Sequence, residues 1–175
     1  MTQSVPDFAA LLRSAEHSAC HLEMRDSYMD DPVFADWRAG KPVDQPEEYQ
    51  LPQEYREWAG LVRETVARGV VMRRARVVSE PVTDYIRWER AITERHNVAL
   101  GERVRWLPRR LASDLALPGN DLWLIDERRV LFHWFTGDGE WAGHEFDEDP
   151  ATVEMVTTAF EAVWDRGIPH SEYVV

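Results

Sequence analysis

The chain has 175 residues, 44% of them hydrophobic, with eight tryptophans and a formal net charge of −12, a composition for one packed domain and against disorder or a membrane span. Its single cysteine, Cys20, excludes an internal disulfide framework and fits a reducing, cytoplasmic setting, as does an opening stretch (MTQSVPDFAALL) without the basic and apolar regions of a secretory leader. Lys41 is the only lysine and lies in the connector AGKPVDQP, which leaves neither a lysine Schiff base nor a GxxxxGK[ST] phosphate loop.

Asp7 is a fitting N-cap for a helix over PDFAALLRSAEH, with Phe8, Leu11, Leu12 and Ala15 on one face. ACHLEMRD alternates Cys20, Leu22 and Met24 with His21, Glu23 and Arg25; this favours a strand, with a continued helix as the other reading. Residues 27–52 are rich in Pro, Asp and Gly and predict a long irregular connection with one helical turn near FADWRAG. PQEYREWAGLVRETVARG predicts a helix whose buried stripe is Tyr55, Trp58, Leu61, Val62, Thr65 and Val66, stopped by Gly69. VVMRRARVV follows as a strand, then SEPVTDYIRWERAITERHNVALG as a helix capped by Thr83 and ended by Gly101.

ERVRWLP is a short strand closed by Pro108. DLWLID and RRVLFHWF are strands joined by a tight turn around Glu127, and GDG turns the chain into EWAGHEF. DPATVEMVTTAFEAVWDRG closes as a helix, with Asp149 at its cap and Pro150 in its first turn. The order predicts an α/β fold, a mixed sheet with flanking helices, in one domain over 1–175. Residues 1–52 supply a helix, a strand and the irregular connection; residues 53–175 supply the α/β core.

Three stretches, ARGVVMRRARVV, GERVRWLP and NDLWLIDERRVLF, resemble one half of a phospholipase D-like domain over about residues 53–135. The resemblance implies a hairpin carrying an HxKxxxxD motif. With Asp126 aligned to its aspartate, Gly119 stands at the nucleophilic histidine and Asp121 at the phosphate-holding lysine. Glycine offers no nucleophile and aspartate repels the phosphate, so that catalysis does not carry over.

Across nearly the whole chain, HLEMRDSY, RRARVVSEPVTDYIRWE, RWLPRR, LPGNDLWLID, GDGEW and AFEAVWDRGIPHSEY resemble a family of actinobacterial proteins with a domain of unknown function, often encoded beside helix-turn-helix regulators. That resemblance implies a non-enzymatic regulatory or accessory role, with a helix-turn-helix regulator as partner. Phospholipase D-like halves usually pair, which implies a homodimer.

Charge is unevenly spread: −7 over residues 1–60, +5 over 61–120 and −10 over 121–175. Alternation on the basic strand puts Arg74 and Arg76 on one face, with Arg105 and Trp106 expected on a neighbouring strand, a set suited to clamping an anionic small molecule. Equally, these arginines could pair with the protein's own acids, among them Glu80, Asp84, Glu89 and the C-terminal third. Glu80, Asp84, Tyr85 and Arg87 follow the strand's carboxyl end, where open α/β sheets bind ligands. The other class of function is a small hydrolase or transferase using Glu80, Asp84, Tyr85, His133 and His144. The net charge of −12 argues against direct nucleic-acid binding. No spacing supplies three firm metal ligands, and neither metal nor cofactor is expected.

Overall fold

The computed structural model describes residues 4–28 and 30–175. The first three residues of the stretch read for a leader, and Met29 in the irregular connection, lie outside them. Helix α1 (Phe8–Ser14) starts where the Asp7 carboxylate accepts the Ala10 N–H at 2.9 Å. The segment after it is strand, not continued helix: β1 (Ser18–Glu23). Helix α2 (Pro32–Arg38) occupies the connection and makes about two turns instead of one. Asp31 accepts the N–H groups of Val33 and Phe34, and Pro32 fits the first helical position.

Helix α3 (Gln53–Ala67) ends at Gly69, whose φ of 90° is open to glycine without strain. Strand β2 (Val71–Val78) leads to α4 (Asp84–His96), capped by the Thr83 hydroxyl. This helix stops at His96, short of Gly101, because a 3-10 turn over Val98–Leu100 takes up the intervening residues. There follow β3 (Arg103–Pro108), β4 (Leu122–Ile125), β5 (Arg129–Phe135), β6 (Trp141–Asp147) and α5 (Pro150–Arg166). A two-residue β7 (Ile168–Pro169) is too short to leave a periodic signal in the sequence.

The described strands form one seven-stranded sheet in the order β6-β5-β4-β1-β2-β3-β7. Strands β1, β2 and β3 run parallel, while β4 and β7 are antiparallel to their neighbours β1 and β3. This is the mixed α/β layering expected from the element order. The centre of the sheet is β1, from the segment that the sequence reading set apart from the core.

Because successive side chains point to opposite faces, the two sides of the sheet differ in chemistry. One face carries Cys20, Leu22, Ala75, Val77, Leu107, Leu122, Leu124 and Val130, and α5 packs Val153, Val156, Phe160 and Val163 onto it. Burying each such side chain stabilises the fold by roughly 1.5–3 kcal/mol. On the other face Ala19, Met72, Trp123, Ile125 and Leu131 meet α1 and α3. Further along, Val78, Val104 and Trp106 meet α4 and Tyr173. Between these two clusters the floor is polar. Among the described residues no helix is long and apolar enough to cross a membrane.

Candidate functional site

The polar floor comes from alternate positions on adjacent strands. Register pairs His21 with Arg74, Glu23 with Arg76, and His21 with Trp123, so these side chains share one face. Arg74 donates from Nη1 to Glu23 at 2.5 Å and from Nε to Glu102 at 2.9 Å, and its Nη1 lies 2.6 Å from His21 Nδ1. Arg76 donates from Nε to Glu23 at 2.5 Å and from Nη1 to Thr93, and its Nη2 lies 3.4 Å from Glu89. Asn97 in turn donates to Glu102. Both arginines are 6% exposed, so the network works in a low-dielectric interior.

Above this floor lies a cavity of about 440 Å³. Its floor includes Asp121, ahead of β4, and His133 and Phe135 on β5; α3 contributes Tyr55 and Trp58, and α4 contributes Tyr85, Trp88 and His96. Phe8, Tyr28 and Trp141 complete the aromatic walls. His21 stacks on Trp123 with ring centroids 4.3 Å apart, and Phe8 meets His133 edge-on at 5.6 Å. Tyr28 donates to Asp121 at 2.5 Å, and the Met24 N–H donates to the same carboxylate at 2.8 Å.

Burial sets the protonation of these groups. Burial pushes Asp121 up to about 6 despite its hydrogen bonds from Tyr28 and Met24, and pushes Glu89 up to about 7 against the pull of Arg76. Burial opposes ionisation of Glu23 as well, yet Arg74 and Arg76 together hold it below the usual carboxylate range. His21 is driven well below its ordinary value by burial and by Arg74. Burial brings His133 and His96 down to about 4, so all three imidazoles are neutral at pH 7. Four buried ring nitrogens on residues of the cavity lining have no hydrogen-bond partner among the described residues: Trp88 Nε1, Trp141 Nε1, His96 Nδ1 and His133 Nε2.

The sequence matches the family described as Domain of unknown function (DUF6879) over residues 6–175. The chain belongs to that family. No curated protein matches it in sequence. Among solved structures it is similar to TrmBL2, an archaeal chromatin protein whose structure shows a novel mode of DNA binding, at 13% identity and a TM-score of 0.51. That likeness covers 96% of this chain and 49% of TrmBL2, so the chain spans about half of TrmBL2's length. It is also similar to Nuc, a phospholipase D family member from Salmonella typhimurium, at 13% identity and a TM-score of 0.49, over 92% of this chain and 86% of Nuc. At 13% identity the likeness to TrmBL2 is one of fold.

In this DUF6879 member the residues singled out from sequence do not form one site. Arg74, Arg76 and His133 lie in the cavity floor, and Tyr85 lines its wall. Trp106 lies on the same face but is fully buried, with Arg76 4.8 Å above its ring and Tyr173 stacked beneath. Arg105 is on the opposite face, because its register partner is Ala75; it donates to the Trp164 carbonyl at the end of α5. The expected basic patch of Arg74, Arg76 and Arg105 is therefore split by the pleat.

The loop after β2 is closed by its own contacts. Ser79 donates to Asp26, and Arg109 spans Ser79, Met24 and Val77. Glu80 accepts from the Tyr173 hydroxyl and faces Arg110 at 3.5 Å. Asp84 and Arg87 face solvent with each other for company at 3.8 Å. His144 is the register partner of His133 on β6, packed against Trp141 and Phe146. Glu80 and Asp84 thus do not line the cavity with Tyr85 and His133. Glu23, Glu102 and the expected Glu89 take Arg74 and Arg76, while Arg73 pairs with Glu161 of the C-terminal third, as the internal-pairing reading expected.

Of the phospholipase D-type positions, Asp121 faces the cavity and Asp126 does not. Asp126 accepts three backbone N–H groups, from Glu16, His17 and Ser18, and so fastens the β4–β5 turn to the start of β1. Sequence reasoning passed over His21, Glu23, Tyr28, Trp88, Trp123 and Trp141 as site residues. The signal for the first two was present: polar residues two apart on a strand whose other face shows Cys20 and Leu22. Among the described residues, no three metal-ligating side chains come together.

Proposed function

We propose that the protein is a non-enzymatic, ligand-binding accessory protein, whose site is the cavity between the sheet and helices α3 and α4. One observation carries this: an aromatic-walled cavity of about 440 Å³, within the range of small-molecule sites, over a floor of buried charged groups that pair with one another. The cavity supplies binding chemistry and lacks a ready nucleophile. Burial and the adjacent Asp121 raise the Tyr28 hydroxyl well above its ordinary value, and Gly119 stands where a histidine would attack phosphorus. Action alongside a helix-turn-helix regulator, in actinobacteria, extends the proposal from the sequence resemblance. DNA binding of the kind in TrmBL2's description is not favoured here, since Arg74 and Arg76 point inward and the net charge is −12.

A thermal-shift screen of a chemically diverse metabolite panel tests the proposal. Compounds that raise the melting temperature of the parent protein should lose their effect in Ile92→Phe, which places extra volume in the cavity lining. A panel without such compounds, or turnover of any of them by the pure protein, would overturn it.

A further inference from the structure

We propose that the cavity accepts a protonated aromatic amine, an aryl ring on a short alkylammonium arm, whose ammonium donates to the Glu89 carboxylate. This rests on the ligand-binding role above and specifies the class of ligand. Glu89 stands on α4 and reaches across to the sheet, where Arg76 Nη2 lies 3.4 Å from its Oε1. It lines the cavity and is 7% exposed. Arg76 spends its Nε on Glu23 and its Nη1 on Thr93, and among the described residues no side chain donates a well-aligned hydrogen bond to Glu89. Unlike the buried ring nitrogens, both Glu89 oxygens keep accessible surface, so the carboxylate offers open acceptor sites. Burial pushes this acid up to about 7 despite Arg76, the mark of a charge that its neighbours leave under-compensated.

The charges around the cavity leave room for a cation. Glu23 and Glu102 match Arg74 and Arg76, a carboxylate for each guanidinium. Glu89, Asp121, Asp31 and Glu54 are then in excess along the lining, and its imidazoles are neutral. An anion would meet that excess without a free clamp. A neutral ring would gain only from the aromatic walls and leave Glu89 as it is. A cation gains from both, since Tyr28, Trp58, Tyr85 and Trp88 surround its ring and charge with aromatic surface. A quaternary ammonium brings charge without donors; a protonated amine brings the N–H groups that an open carboxylate accepts.

Calorimetric titration with three probes that share an indole ring tests this: tryptamine as cation, tryptophol as its uncharged counterpart and indole-3-acetate as anion. At pH 8 tryptamine should bind about tenfold more tightly than either of the others. The groups that face Glu89 are Glu23 on β1, Arg74 and Arg76 on β2, Asp121 ahead of β4, and the hydroxyls of Tyr28, Tyr55 and Tyr85. Of these only Asp121, at about 6, ionises near the same range, and in the same direction. The affinity for tryptamine should therefore rise about tenfold from pH 6 to pH 8, while the alkylammonium stays charged, and that for tryptophol should not. Glu89→Gln and Glu89→Met keep the length of the arm and lose the charge, and Arg76 retains Glu23 in both. Each should weaken tryptamine about tenfold, with a cooperative thermal melt to show that it is folded. Tryptophol or indole-3-acetate binding as tightly as tryptamine, with loss in Ile92→Phe, would overturn the ligand class and leave the cavity as a binding site. Heat from none of the three, or tryptamine affinity unchanged in Ile92→Phe or in both Glu89 variants, would overturn the class as well.

Discussion

Arg74 and Arg76 share one carboxylate, Glu23, which bridges them with an oxygen for each. Glu102 and Glu89 complete the set, so the two positive charges are desolvated only because acids are held within reach. Buried pairs of this kind contribute little over an apolar core, but removing one member strands the other. Replacing both arginines by glutamine should cost about 3–5 kcal/mol for each acid left without its partner. The melting temperature should then fall by about 10 °C or more. An unchanged midpoint in a thermal melt would mean that the arginines stand ready for an outside partner instead.

At the level of elements, the β4–β5 hairpin depends on a three-residue connection, 126–128, in which Asp126 and Glu127 both have positive φ, 52° and 54°. That geometry matches the twist of the flanking strands but suits neither residue as well as it suits glycine or asparagine. The Asp126 carboxylate offsets the cost by accepting three N–H groups at the end of the α1–β1 connection. Partial burial opposes its ionisation, yet those bonds hold its pKa below the ordinary aspartate value. Its contribution is therefore present above about pH 4 and fades as the pH falls through the lowered value. Asp126→Ala should destabilise the protein by about 1–2 kcal/mol at pH 7, less than a buried site would, because solvent screens the turn. Denaturant titrations at pH 7 and pH 3 should show the difference shrinking in acid.

Across the whole molecule, acid acts in two opposed directions. His133 and His96, held at about 4 by burial, contribute stability fully above their ordinary value near 6.5, and it is lost as the pH falls toward 4. Glu89, raised to about 7 by burial, does the reverse: the fold gains stability as the pH drops from about 7 to the ordinary 4.5. Glu89→Gln removes that gain, so the variant's melting temperature relative to the parent should rise between pH 5 and pH 8. Thermal melts at the two values check the sign. No change over the same interval would mean that Arg76 keeps Glu89 ionised throughout.

Local pattern alone determined much of this protein. Asp7, Thr83 and Asp149 cap helices because their side chains reach N–H groups two or three residues ahead, a contact that needs no distant partner. Alternation put Arg74 and Arg76 on one side of their strand and Arg73 on the other, which the pleat guarantees. Element order was enough for a mixed α/β sheet. Tertiary structure decided the rest, because a strand's neighbours and coverings are not written in its own residues. Only the sheet order brings β1 between β4 and β2 and so sets His21 and Glu23 beside the arginines. The register with β2 turns Arg105 toward α5 and away from Arg74. Packing then makes Trp88, Trp123, His133 and Trp141, spread over more than fifty positions of chain, into the lining of one cavity. Sequence fixes which side chains a strand shows to each face; burial and the elements opposite determine whether a charge there becomes a site or a strut.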